Sequence, residues 1–72
     1  MHWNRIEGNW KQFTANIKQQ WSRLTDAHLD AIAGKREHLA AKIQEMYGIS
    51  RDAAEKQIAG WQSRVKDEHR VK

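Results

Sequence analysis

The stretch WNRIEGNWKQFTANIKQQWSRL, residues 3–24, places Trp3, Ile6, Trp10, Phe13, Ile17, Trp21 and Leu24 at spacings of three or four. At about 100° per residue these side chains fall within roughly a quarter of the helical wheel, which predicts a helix with one apolar face. Three of the four tryptophans of the chain stand on that face, so it holds a large share of the apolar area available for a core or a partner surface. Asn4, with Glu7 three positions later, has the form of a capping box that starts the helix at Arg5, and Gly8 then weakens its first turn. A start near Asn9 is the alternative.

Beyond this stripe, short polar signals divide the chain. Thr25 and Asp26 read as N-cap and first residue of a second helix, with Leu24 and Leu29 placed as a hydrophobic staple. That helix is short, because Gly34 interrupts the pattern and Arg36 stands where an apolar residue is due. A third helix is expected from about Lys35 to Tyr47, ended by Gly48 as a left-handed C-cap with Ile49 folding back onto it. A single helix kinked at Gly34 is the other possibility. Ser50 then caps a fourth helix, Asp52 faces the positive end of its dipole, and Ala54, Ile58, Trp61 and Val65 share one face. Gly60, in mid-helix beside that face, is expected to mark a close helix contact.

A chain of 72 residues is expected to form one domain, near the lower limit for folding on its own core. The ordered part should run from about residue 5 to 66, with the polar residues 67–72 frayed. There is no cysteine, which fits a reducing cytoplasm, no signal-like apolar run, and no stretch approaching the roughly 18 apolar residues of a membrane span. A mean hydropathy of −0.98 leans toward disordered composition, so the case for folding rests on the repeated apolar spacing. Trp10, Phe13, Ile17, Trp21, Leu24, Leu39, Ile43, Ile58 and Trp61 are the expected core of a marginally stable, monomeric domain. Trp3, ahead of the expected cap, is the stripe member expected to stay exposed.

The string Gly8-Asn9-Trp10-Lys11-Gln12-Phe13, followed by Gln20-Trp21 and Leu24-Thr25-Asp26, resembles the CsbD-like family of small bacterial general-stress proteins. The resemblance continues through Gly34-Lys35-Arg36, Leu39, Lys42-Ile43-Gln44, Tyr47-Gly48 and Ala54-Glu55, up to about Trp61. It implies an all-α, four-helix domain of two packed helical hairpins, similar to the SAM-like arrangement, and synthesis induced by stress or stationary phase. It brings no catalytic residue to carry over. The chain departs from the family pattern at Ala15 and Ser22, where glycines are usual, and at Thr14 and Asn16, where lysines are usual. The first pair should firm the helix. The second weakens any reading of it as a polyanion-binding surface.

Little in the chain spells out a reaction. His2, His28, His38 and His69 lack zinc-like spacing, so no metal or other cofactor is expected. Asp26 with Asp30, and Asp52 with Glu55, share helical faces but sit in first turns, where acids favour the helix N-terminus. Ser22, Ser50 and Ser63 have no His/Asp arrangement around them, and Gly34-Lys35 lacks the rest of a phosphate-binding loop. The net charge is +4, mild and interspersed, which usually means a solvated surface. A non-enzymatic cytoplasmic protein is therefore expected, acting by abundance or by binding a macromolecule, whether protein or nucleic acid. The alternatives are weak, sequence-nonspecific nucleic-acid association through Lys35, Arg36 and Lys42, and a peripheral membrane role with the aromatic stripe in the lipid interface.

Overall fold

The apolar stripe of residues 3–24 folds as two helices, not one. The computed structural model describes residues 2–65, and among them are five α-helices and no strand. They are α1 (Trp3–Gly8), α2 (Trp10–Gln20), α3 (Asp26–Ile32), α4 (Arg36–Tyr47) and α5 (Arg51–Arg64). The expected fraying of residues 67–72 and the position of His69 lie outside the described residues.

The expected capping box does not form. α1 begins at Trp3 after His2, which gives no side-chain cap, so Asn4 lies within the helix, while the Glu7 carboxylate reaches Lys35 instead of the helix start. Asn9 then breaks the stripe. Its backbone (φ −120°, ψ 38°) is non-helical, its N–H donates to the Arg5 and Ile6 carbonyls, and its Nδ2 donates to the Arg5 carbonyl at 3.0 Å. An asparagine side chain that competes for backbone partners ends a helix in this way.

The remaining boundaries follow local chemistry. Thr25 Oγ1 accepts from the His28 N–H, and His28 Nδ1 accepts from the Thr25 N–H, each at 3.2 Å, a reciprocal box with histidine in the place of the usual glutamate or glutamine. Ser50 Oγ accepts from the Ala53 N–H at 3.1 Å to start α5. Helices α3 and α4 are separate, because Ala33 (φ 53°) and Gly34 (φ 81°) are successive left-handed residues. Gly48 (φ 64°) ends α4 in the same region, its N–H bonded to the Gln44 carbonyl at 2.8 Å.

α3 packs on α4 and α4 on α5. Ile6, Ile17, Trp21, Leu24, Leu29, Ile32, Leu39, Ala40, Ile43, Ala54, Ile58 and Trp61 are buried, while Trp10 and Phe13 are half-buried against them. Trp3 is half-buried too, not exposed. Its indole lies 6.2 Å from that of Trp61 and 6.4 Å from that of Trp10, and its N–H is taken up by the Gly34 carbonyl. Gly60 does not mark a close helix contact, since a Cβ there would meet only Arg64 Nη1, at 3.8 Å.

The tryptophans also tie the helices together by hydrogen bonds. Trp10 donates to the Leu29 carbonyl of α3 at 3.0 Å and Trp21 to Gln57 Oε1 of α5 at 2.9 Å. Trp61 of α5 donates to Asn16 Oδ1 of α2 at 3.1 Å. A buried indole N–H without an acceptor is costly, so each of these bonds selects an orientation that apolar packing alone would leave open.

Candidate functional site

Lys35, Arg36 and Lys42 lie at the start and middle of α4, and each is paired with a carboxylate. Lys35, the N-cap residue of α4, places Nζ 2.9 Å from Glu7 Oε2 of α1. Arg36 bonds Glu55 of α5, and Glu55 also receives Arg51 at 3.5 Å. Lys42 reaches Glu45, one turn on, at 3.1 Å. The hydrogen bond that Lys35 donates to Glu7, and then the charge of that carboxylate, hold the Lys35 ammonium above the ordinary lysine range. These three cations therefore form a compensated surface and not an open positive patch.

The pairs at Lys35 and Arg36 belong to one junction, where α1 and the start of α5 meet the α3–α4 turn. Gly34 is its pivot. A Cβ at Gly34 would stand 2.9 Å from Glu7 Cγ and 3.3 Å from the Glu7 Cα and carbonyl oxygen. Only glycine, with its left-handed φ and no side chain, lets α1 approach this closely. The Trp3 indole N–H donates to the Gly34 carbonyl at 2.8 Å, and Lys35 closes the outer side on Glu7. The sequence carries no local signal for this junction, because its partners are 31 and 28 residues apart.

Other polar candidates are engaged elsewhere. His28 serves in the cap of α3, and among the described residues no group of three or more His, Cys, Asp or Glu side chains is arranged to hold a metal. Asp26 receives Lys18 at 2.8 Å and Asp52 receives Lys56 at 3.7 Å, so neither faces its neighbouring acid alone. Arg23 lies over the Tyr47 ring at 5.3 Å and donates to the Met46 carbonyl at 3.1 Å, fastening the α2–α3 link to the end of α4. A shallow open depression at the α1–α2 break is lined by Glu7, Gly8, Asn9, Trp10, Lys11 and Gln12. No helix among the described residues is long and apolar enough to cross a membrane.

Two positions that depart from the family pattern have visible consequences. Asn16 supplies the acceptor for the Trp61 indole, and Thr14 Oγ1 donates to the Lys11 carbonyl at 3.0 Å. The first could not be assigned from its own neighbourhood in the sequence, since Trp61 lies 45 residues away.

Comparison with known proteins places the chain in a defined group. The chain is 48% identical over 66 residues to UPF0337 protein RPA4217 of Rhodopseudomonas palustris, covering 92% of this chain and 100% of that protein. It is 47% identical over 64 residues to UPF0337 protein YjbJ of Escherichia coli K12, covering 89% and 93%. UPF0337 protein ECA0631 of Pectobacterium atrosepticum is 46% identical over 66 residues, covering 92% and 96%. Residues 4–56, which run from α1 into α5, match the CsbD-like family, and the chain belongs to that family.

Proposed function

We propose that the chain is a non-enzymatic, cytoplasmic stress-response protein that acts by presenting its folded surface to a macromolecular partner, or by abundance. The observation that carries this reading is the make-up of the interior: among the described residues every buried side chain is apolar, and no polar or charged residue is buried. A general acid, base or nucleophile draws its reactivity from a desolvated recess lined by polar groups. The polar groups described above lie at the surface, where most are engaged in caps and ion pairs. Membership of the CsbD-like family supports the stress-response half of the reading.

Association with nucleic acid is the second reading. Lys35, Arg36 and Lys42 would each have to leave Glu7, Glu55 or Glu45 to meet a phosphate, and affinity for nucleic acid depends on cations free to displace counterions. A membrane-surface role has less behind it, since the indole N–H groups of the stripe are bonded internally. Affinity capture from stressed bacterial cells with the full chain, with and without nuclease, separates these readings. A partner retained after nuclease supports a protein contact. Loss on nuclease treatment, and on Lys35→Glu with Arg36→Glu, transfers the function to nucleic acid, and capture of nothing in either arm refutes the partner reading.

A further inference from the structure

We propose that α1 is an exchangeable clasp: the chain has a second state in which α1 and α2 form one continuous helix, and α1 docks on the α3–α4 turn of a second copy, which returns the same contact. This goes beyond the function proposed above and does not depend on it.

The apolar spacing runs through the break without a change of phase. Trp3, Ile6, Trp10 and Phe13 keep the three-four rhythm across Gly8 and Asn9, so a straight helix carries Trp3 and Ile6 on the same face as Trp10 and Phe13. The bend itself is a single residue held by local bonds. Asn9 donates its N–H and its Nδ2 to carbonyls of α1, and a Cβ at neighbouring Gly8 would meet nothing within 4 Å. In a continuous helix the carbonyls before the bend receive the N–H groups after it, so straightening exchanges one set of backbone bonds for another.

α1 packs on α2, where Trp3 meets Trp10, but several of the contacts that hold it in the bent form lie beyond α2. Trp3 bonds the Gly34 carbonyl at 2.8 Å and its ring meets Trp61, Glu7 pairs with Lys35 at 2.9 Å, and Ile6 is fully buried. These contacts can be made equally by α1 of another chain. A straightened chain on its own leaves Ile6 in water and vacates the seat beside Gly34, whereas two straightened chains related by a two-fold axis fill each other's seats. The open state is thus expected as a dimer.

The test compares the full chain with its Asn9→Ala variant after refolding at micromolar and at millimolar concentration, read by size-exclusion chromatography with light scattering. Alanine removes the Nδ2 bond and favours the helix, by about tenfold per chain and so about a hundredfold in the dimer association constant. The expected result is a dimer after millimolar refolding that is slow to separate on dilution, and more of it with Asn9→Ala. Two monomeric proteins under all conditions would overturn the proposal. A second experiment, in the Asn9→Ala background, mixes chains carrying Glu7→Lys with chains carrying Lys35→Glu. Each alone has like charges at its own seat, while an exchanged heterodimer has complementary charges at both. Heterodimer above its statistical half share supports the clasp, and a share at or below half assigns the dimer to another face.

Discussion

Replacing Gly34 by alanine should undock α1, and Gly48→Ala is its internal control. Both glycines are left-handed, at φ 81° and 64°, so both substitutions incur the strain of an L side chain in that region, about 1–2 kcal/mol before a small entropic offset. At Gly48 nothing lies within 4 Å of the new Cβ, and the cost should end near about 1 kcal/mol. At Gly34 the new Cβ stands 2.9 Å from Glu7 Cγ and 3.3 Å from Glu7 backbone atoms. The Cγ can swing aside, but the backbone cannot move without carrying α1. Losing the seat re-exposes Ile6, worth about 1.5–3 kcal/mol, and breaks the Trp3–Gly34 hydrogen bond, worth about 1 kcal/mol. Gly34→Ala should therefore cost about 3–5 kcal/mol in all. For a domain of this size each kcal/mol lowers Tm by about 4–8 °C, so the two variants should be separated by at least about 8 °C. Thermal and urea unfolding followed by tryptophan fluorescence measure the difference, and the Trp3 indole N–H resonance reports whether α1 has left its seat. Equal destabilisation of the two variants would refute the close approach of α1 to Gly34.

Three further outcomes are expected. Ala33→Gly relieves the one left-handed non-glycine among the described residues and should raise stability by about 0.5–1 kcal/mol, read as a higher urea midpoint at unchanged slope. Asn16→Ala removes the acceptor of the Trp61 indole, and even with a better helix former it should cost about 1 kcal/mol and shift the Trp61 indole N–H resonance. The Lys35 ammonium is held above 10.5 by Glu7, so its contribution to stability is fully present below that pH and is lost as pH rises through the elevated folded value. Glu7→Gln should flatten this alkaline limb of the stability profile, and added salt should shrink it in the natural chain, since the ammonium is exposed.

The all-α class and most helix ends were legible because their causes are local. Thr25 and Ser50 cap through N–H groups three residues on, and Gly48 ends α4 through a bond to Gln44 four residues back. Family membership was legible in the same way, from a string of adjacent residues. The first helix was the weak point. Its periodicity is compatible with one helix or two, and the spacing of Asn4 and Glu7 suggested a cap that the fold replaces with an ion pair to Lys35, 28 residues on. The pairing of Lys35 and Arg36 was not legible for a related reason. Their charges are plain in the sequence, but the carboxylates that compensate them lie 28 and 19 residues away.

What the sequence by itself determined is therefore the type of each element, the face it buries and most of its ends, all of which depend on groups within about one helical turn of each other. Tertiary structure decided the seat of Trp3 against Gly34, the pairing of Lys35 and Arg36 and the partner of each indole. Those depend on groups 19 to 45 residues apart, such as Arg36 with Glu55 and Asn16 with Trp61. Helical periodicity says which side chains point together. It carries no information about which distant carbonyl or carboxylate the packed chain will bring to meet them, because that choice is made by the shape of the whole core.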